Sequence, residues 1–308
     1  MKSIAFIVPW SGKLPEYFPL WLNTCKWNPT IDFLLFTDDT KEFEFPDNVK
    51  VYYKSFKEMV DLVQKHFDFK ISLNKPYKFC DFRPAFGEIF EEYLKGYDFW
   101  GHCDLDMFWG DIRKFLTNDI LCSYKKIFSR GHCNLYKNTK EINSWYKNLP
   151  NNGCQEYKTV FQTDKPCCFD EWAGHCGGGI SQIIKSNNIR IFDEVYSADL
   201  NVMKGYFKIN RREDLKSKRI YFIFDNGKLK VINNNIEEEI MCVHFQKRKL
   251  KINMLIDKNK FYFISPNCVV NSNKNGSRNR MEEKIYEYNM LNKKVKNKIK
   301  DIVKIRKE

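Results

Sequence analysis

Two carboxylates two residues apart, Asp104 and Asp106, close the run YDFWGHCDLD. On extended backbone, residues i and i+2 point to the same face. Two oxygen donors on one face suit a hard divalent cation such as Mg²⁺ or Mn²⁺, and such a cation can neutralise a departing diphosphate. A second acidic pair, Asp170 and Glu171, lies in Phe169-Asp170-Glu171-Trp172. Either carboxylate could take a proton from an attacking hydroxyl. As plain architecture, Asp170 would cap a helix and Glu171 would favour its N-terminal dipole. Lys78, Asp81 and Arg83 cluster in KPYKFCDFRP. An arginine grips phosphate in a bidentate fork and a lysine acts as a point charge. Gly-His-Cys occurs at 101–103, 131–133 and 174–176. Adjacent residues on a strand face opposite ways, so these pairs read as small apolar fillers rather than zinc ligands.

Those side chains need a scaffold to hold them. Ile4–Val8 and Ile31–Phe36 are continuous apolar runs, each closed by polar or turn residues, as strands buried on both faces read. Val49–Tyr53, Phe99–Asp104, Ile127–Tyr136, Ile189–Phe192 and Met241–Phe245 are further strand candidates. Helical spacing is expected over Tyr17–Lys26, Phe56–Phe67 and Phe79–Tyr93. Tyr221–Phe224 and Leu229–Ile232 flank Asp225-Asn226-Gly227, a hairpin signal. Strands alternating with helices predict a mostly parallel α/β sheet covered on both faces. Ligands then bind beyond the carboxyl ends of the strands, here after Val8, Phe36 and Trp100.

The 308 residues allow one large α/β domain, and 43% hydrophobic residues allow a sizeable core. The net charge is +13, of which the segment from Ser272 carries +7, with 12 Lys/Arg against 5 Asp/Glu. The remainder is an ordinary basic surface without the stripe expected of a nucleic-acid binder. The 11 cysteines include no CxxC pair, and the N-terminal apolar run is too short for a signal peptide. A cytoplasmic protein with reduced thiols is expected.

The pieces IAFIVPW, FLLFTDD, KPYKFCDFRPAFGEIF, WGHCDLD and VHFQKRK, in this order over roughly residues 1 to 250, resemble GT-A glycosyltransferases, in particular bacterial capsule and O-antigen sugar transferases. The resemblance implies a Rossmann-like mixed sheet flanked by helices over 1–271, with a nucleotide-sugar-binding half at 1–110 and an acceptor-binding half at 111–271. It implies a UDP-sugar donor, with galactose (pyranose or furanose) as the expected sugar, and a glycan acceptor, either free or lipid-linked. Pro9, Thr37 and Asp38 would line the nucleoside, and Lys78, Asp81 and Arg83 would face the sugar nucleotide. His244 would join Asp104 and Asp106 as third metal ligand, with Lys247 or Lys249 on the diphosphate. The Gly and Pro-Trp that follow in the glycogenin-like form of this motif are missing here. Asp170 or Glu171 would be the base of an inverting reaction, Trp172 would stack on the acceptor, and His132 would line the donor-sugar pocket. A nucleotidyltransferase and a non-catalytic sugar-nucleotide-binding protein are the alternatives. The first would show a glycine-rich loop after the first strand, where this chain has only Gly12. The second is disfavoured by the intact acidic motif.

Beyond 272 the chain turns Asn/Lys-rich. Ile285, Tyr288, Leu291, Val295, Ile299, Ile302 and Val303 recur at helical spacing among lysines. That predicts a basic amphipathic helix, suited either to packing on the domain or to an anionic membrane surface such as the inner face of the cytoplasmic membrane.

Overall fold

The computed structural model describes residues 1–148, 155–171, 178–215, 219–233, 236–252, 256–272 and 280–305. In chain order the strands begin with β1 (Ile4–Trp10), β2 (Ile31–Thr37), β3 (Val49–Tyr53), β4 (Phe99–Cys103), β5 (Met107–Trp109), β6 (Lys126–Arg130), β7 (Cys133–Lys137) and β8 (Ile191–Phe192). They continue with β9 (Ser197–Asp199), β10 (Ile220–Asp225), β11 (Lys228–Asn233), β12 (Ile236–Glu239), β13 (Cys242–His244), β14 (Lys251–Ile252), β15 (Lys260–Ile264) and β16 (Cys268–Val270). The chain is mixed α/β and divides into two compact units. Unit 1 is Met1–Leu105 with Arg113–Glu194; unit 2 is Asp106–Ile112 with Val195–Glu308. The division differs from halves at 1–110 and 111–271 because β5 pairs with the late strand β13, so residues 106–112 join the later strands.

Unit 1 holds a seven-stranded sheet in the order β3-β2-β1-β4-β7-β6-β8. β3, β2, β1 and β4 run parallel. β7 is antiparallel to both β4 and β6, so the sheet is mixed. The expected single strand at Ile127–Tyr136 is thus a hairpin, with Gly131 and His132 at its turn. β1 and β2 are buried along nearly their whole length, which is why they read as unbroken apolar runs. The strand order reverses between β1 and β4, and the loops after β1, β2 and β4 leave from one edge. In open parallel sheets that edge, at the switch point, is where ligands bind.

Two regular helices of unit 1 fall where the spacing predicts them, α1 (Phe18–Lys26) and α2 (Phe56–Gln64). α2 starts on a reciprocal capping box between Ser55 and Glu58. The expected helix over 79–93 is instead a chain of short turns: Phe79–Phe82, Arg83–Ala85, Phe86–Ile89 and Glu91–Leu94. Pro84 has no N–H to give and its ring crowds the preceding turn, so a regular helix cannot run through it.

Unit 2 holds a six-stranded, mostly antiparallel sheet, β12-β11-β10-β15-β16-β14, and a three-stranded sheet, β5-β13-β9. The predicted hairpin is β10–β11. Its turn residues Asn226 and Gly227 have φ of 47° and 83°, the left-handed backbone a two-residue turn requires. Phe108 of β5 meets Phe245 and Phe263 with ring centroids 5.7 and 4.9 Å away, and Phe245 meets Phe263 at 4.8 Å. This aromatic knot fixes β5 and β13 in register. The last element is a helix, Arg280–Ile305. Among the described residues, no helix is long and apolar enough to cross a membrane.

Candidate functional site

The candidate residues of unit 1 gather at the carboxyl edge of its parallel strands. β1 ends at Trp10, and the loop behind it is tied down by the next loop. Gly12 N donates to Asp38 Oδ1 at 2.6 Å and Leu14 N donates to Asp39 Oδ2 at 2.7 Å. Asp38 is exposed, and Pro9 is half-buried opposite Phe36. Thr37 is buried and its hydroxyl accepts the Asp39 N–H at 3.2 Å. It shapes the turn.

Arg83 is the hub of the same edge. Its guanidinium donates to Gly131 O at 2.7 Å, to Asp170 Oδ2 at 2.8 Å and to Asp104 Oδ1. Both terminal nitrogens therefore serve the protein's own acceptors, so Arg83 organises the acidic residues rather than reaching out to phosphate. Asp170 sits so close to the β6–β7 turn that a Cβ on Gly131 would lie 3.0 Å from its Oδ2. Burial pushes the Asp170 carboxyl up to about 7 even against the Arg83 charge. The Asp104 N–H donates to His132 O at 3.0 Å, so the β6–β7 turn lies against the D-x-D segment. Glu171 is half-buried. Trp172 lies outside the described residues.

Lys78 and Asp81 are corrected by their burial: they are 2% and 1% exposed. Lys78 Nζ donates to Asp81 Oδ2 at 2.8 Å, Val160 O at 2.9 Å and Lys165 O at 2.8 Å. Asp81 also accepts from Cys167 N and Phe169 N, both at 2.9 Å. Every donor of the ammonium has a protein acceptor, and nothing of the pair is left for a nucleotide. Together they clamp the segment that delivers Asp170.

The candidate residues of unit 2 sit at the end of the three-stranded sheet. His244 Nε2 is 3.3 Å from Asp106 Oδ1, and His244 Nδ1 is 2.9 Å from Asp199 Oδ1. Asp199 is a residue the sequence did not point to. It ends β9, which pairs with β13 so that Asp199 lies opposite His244. Its carboxylate also accepts from Gln246 Nε2 at 2.5 Å and Asn210 Nδ2 at 2.9 Å. This fixes the imidazole with Nδ1 toward Asp199 and Nε2 toward Asp106. Asp106 Oδ2 accepts the Lys247 backbone N–H at 2.7 Å. Burial alone would raise the Asp106 carboxyl, but the His244 and Lys247 bonds outweigh it and hold it below the usual carboxylate range. Gln246 and Lys247 adopt φ of 48° and 62°. Two successive non-glycine residues in the left-handed region cost about 1–3 kcal/mol each, and such outliers gather at functional sites. The Lys247 and Lys249 side chains are exposed.

An imidazole whose outer nitrogen is bonded to a carboxylate, with its inner nitrogen aimed at another carboxylate oxygen, is the donor set of many metal–histidine sites. Carboxylate oxygen and neutral imidazole both suit Mn²⁺. Fold and side chains thus define a mixed α/β protein with a switch-point edge and a carboxylate–histidine–carboxylate relay. The chain belongs to the family described as a family of unknown function, DUF6625, whose model matches residues 6–273. No curated protein matches the chain.

Proposed function

We propose that the protein is a metal-dependent glycosyltransferase of the GT-A type, transferring a sugar from a UDP-sugar to a glycan hydroxyl in surface-polysaccharide synthesis. One observation carries the reading: Asp106, second acid of the D-x-D motif, is set against His244, whose other nitrogen is held by Asp199. Asp106 and His244 would hold a divalent cation, with Asp104, two residues earlier in the chain, as the third candidate. When bound, the cation supplies charge neutralisation for the diphosphate leaving group.

The chain's own residues do the rest. The acceptor hydroxyl oxygen attacks the anomeric carbon, the bond from that carbon to the diphosphate oxygen breaks, and the hydroxyl proton passes to a carboxylate. Asp170 suits that task because burial brings its carboxyl to about 7, where it is both ionised in part and basic enough to accept a proton. Glu171, less buried and adjacent, is the alternative acceptor. Arg83 holds Asp104 and Asp170 in place, and Asp38 faces the nucleoside from the exposed loop after β2. The direct test is hydrolysis of a panel of UDP-sugars with and without Mn²⁺. Mn²⁺-dependent release of UDP, abolished in Asp106→Ala, is expected. Release of pyrophosphate from a nucleoside triphosphate, with no UDP-sugar turned over, would instead favour a nucleotidyltransferase.

A further inference from the structure

The C-terminal helix is docked the wrong way round for a helix that merely completes a core. Its mixed face holds the protein. Ser265 Oγ donates to Glu283 Oε1 at 2.5 Å, Tyr286 OH donates to Val202 O at 3.0 Å, and Gly205 N donates to Glu287 Oε1 at 3.0 Å. The buried Arg248 guanidinium lies over the Tyr286 ring, 4.7 Å from its centroid. The apolar stripe points away. Ile285, Tyr288, Leu291, Val295 and Ile299 follow one another at spacings of three and four, and each is between 47% and 64% exposed. A helix packed for stability alone turns such a stripe inward. From Lys293 to Ile299 every side chain is exposed, so the helix projects beyond its anchor.

We propose that this stripe is a membrane-docking face for an anionic lipid surface. The charge decides between occupants. Lys296 and Lys298 flank the stripe, and residues 292–305 carry six lysines against the single acid Asp301. A second copy would bring the same lysines against themselves in a chain of net charge +13. An anionic bilayer answers both features, since it takes the apolar side chains into the acyl boundary and the lysine ammoniums into the headgroup layer. The matched family segment ends at residue 273, before this helix begins.

Co-sedimentation of the full chain with phosphatidylglycerol-containing vesicles tests this. Binding that weakens with salt is expected, with little binding to pure phosphatidylcholine. The variant Leu291→Glu/Val295→Glu/Ile299→Glu should bind at least about tenfold less, because the apolar anchor is gone. Those side chains are exposed, so the variant should fold, and circular dichroism checks it. UDP binding should be unchanged in the variant, so the outcome is independent of the glycosyltransferase reading. Three results overturn the proposal: no binding to anionic vesicles, equal binding by the triple variant (the behaviour of a simple polyanion site), or a wild-type dimer in solution that the triple variant cannot form.

Discussion

The two acidic clusters use similar carboxylates but different counter-groups. In unit 1, Asp104 and Asp170 share one guanidinium, and Asp170 has its carboxyl raised toward neutrality. Its neighbours Lys78 and Asp81 neutralise each other in full burial. That cluster is electrically closed. In unit 2, Asp106 and Asp199 flank one imidazole and accept from amides of Gln246, Asn210 and the Lys247 backbone. That cluster sets two carboxylates against one imidazole. The difference lies in the counter-group: a guanidinium organises the first pair of carboxylates, and an imidazole the second.

The comparison breaks most sharply at the closed cluster. Asp81→Ala strands the Lys78 ammonium at 2% exposure, and removing one partner of a buried pair costs about 3–5 kcal/mol. Denaturant melts should show that loss, and Lys78→Met/Asp81→Leu should recover much of it. In the open cluster the matching change, Asp199→Asn, should leave the melting curve nearly intact. It should weaken Mn²⁺ affinity by roughly 10–100-fold, the usual effect of losing the carboxylate behind a metal-bound histidine. A variant that loses stability rather than metal affinity would make the two clusters alike.

The pH profile sharpens the contrast. A transfer rate that needs ionised Asp170 should fall about tenfold per unit below pH 7 and level off above it, and Asp170→Asn should erase that limb. The sign for stability runs the other way. The folded carboxyl, at about 7 against its ordinary 3.8, holds its proton more tightly than the unfolded chain does, so stability falls as pH rises from about 4 to 7. An unchanged profile in Asp170→Asn, with the limb lost in Glu171→Gln, would move the base by one residue. The smallest effect belongs to Lys247→Ala. Its backbone N–H, not its exposed side chain, holds Asp106, so UDP affinity should drop by no more than about tenfold, the contribution of one exposed charge.

What was legible in the sequence, and what it hid, follows from range. β1 and β2 were readable because strands buried in a parallel sheet are locally apolar. Asp104, Asp106 and His244 stood out because a strand followed by acids or a lone histidine is a local pattern. Lys78 and Asp81 misled because a charge in the sequence says nothing of its burial, and only the return of residues 160–169 against them uses up their hydrogen bonds. Asp199 was invisible because β9 is three residues long and meets His244 across 45 positions of chain. The six-stranded sheet of unit 2 was half-read for the same reason: its hairpin is local, whereas β14, β15 and β16 are short.

The most direct measurement is calorimetric titration of UDP into the protein, with and without Mn²⁺, for the wild type and for Asp106→Ala. The proposed function predicts UDP binding that needs Mn²⁺ in the wild type and is lost in the variant. Binding of equal strength in both proteins, indifferent to Mn²⁺, would contradict it.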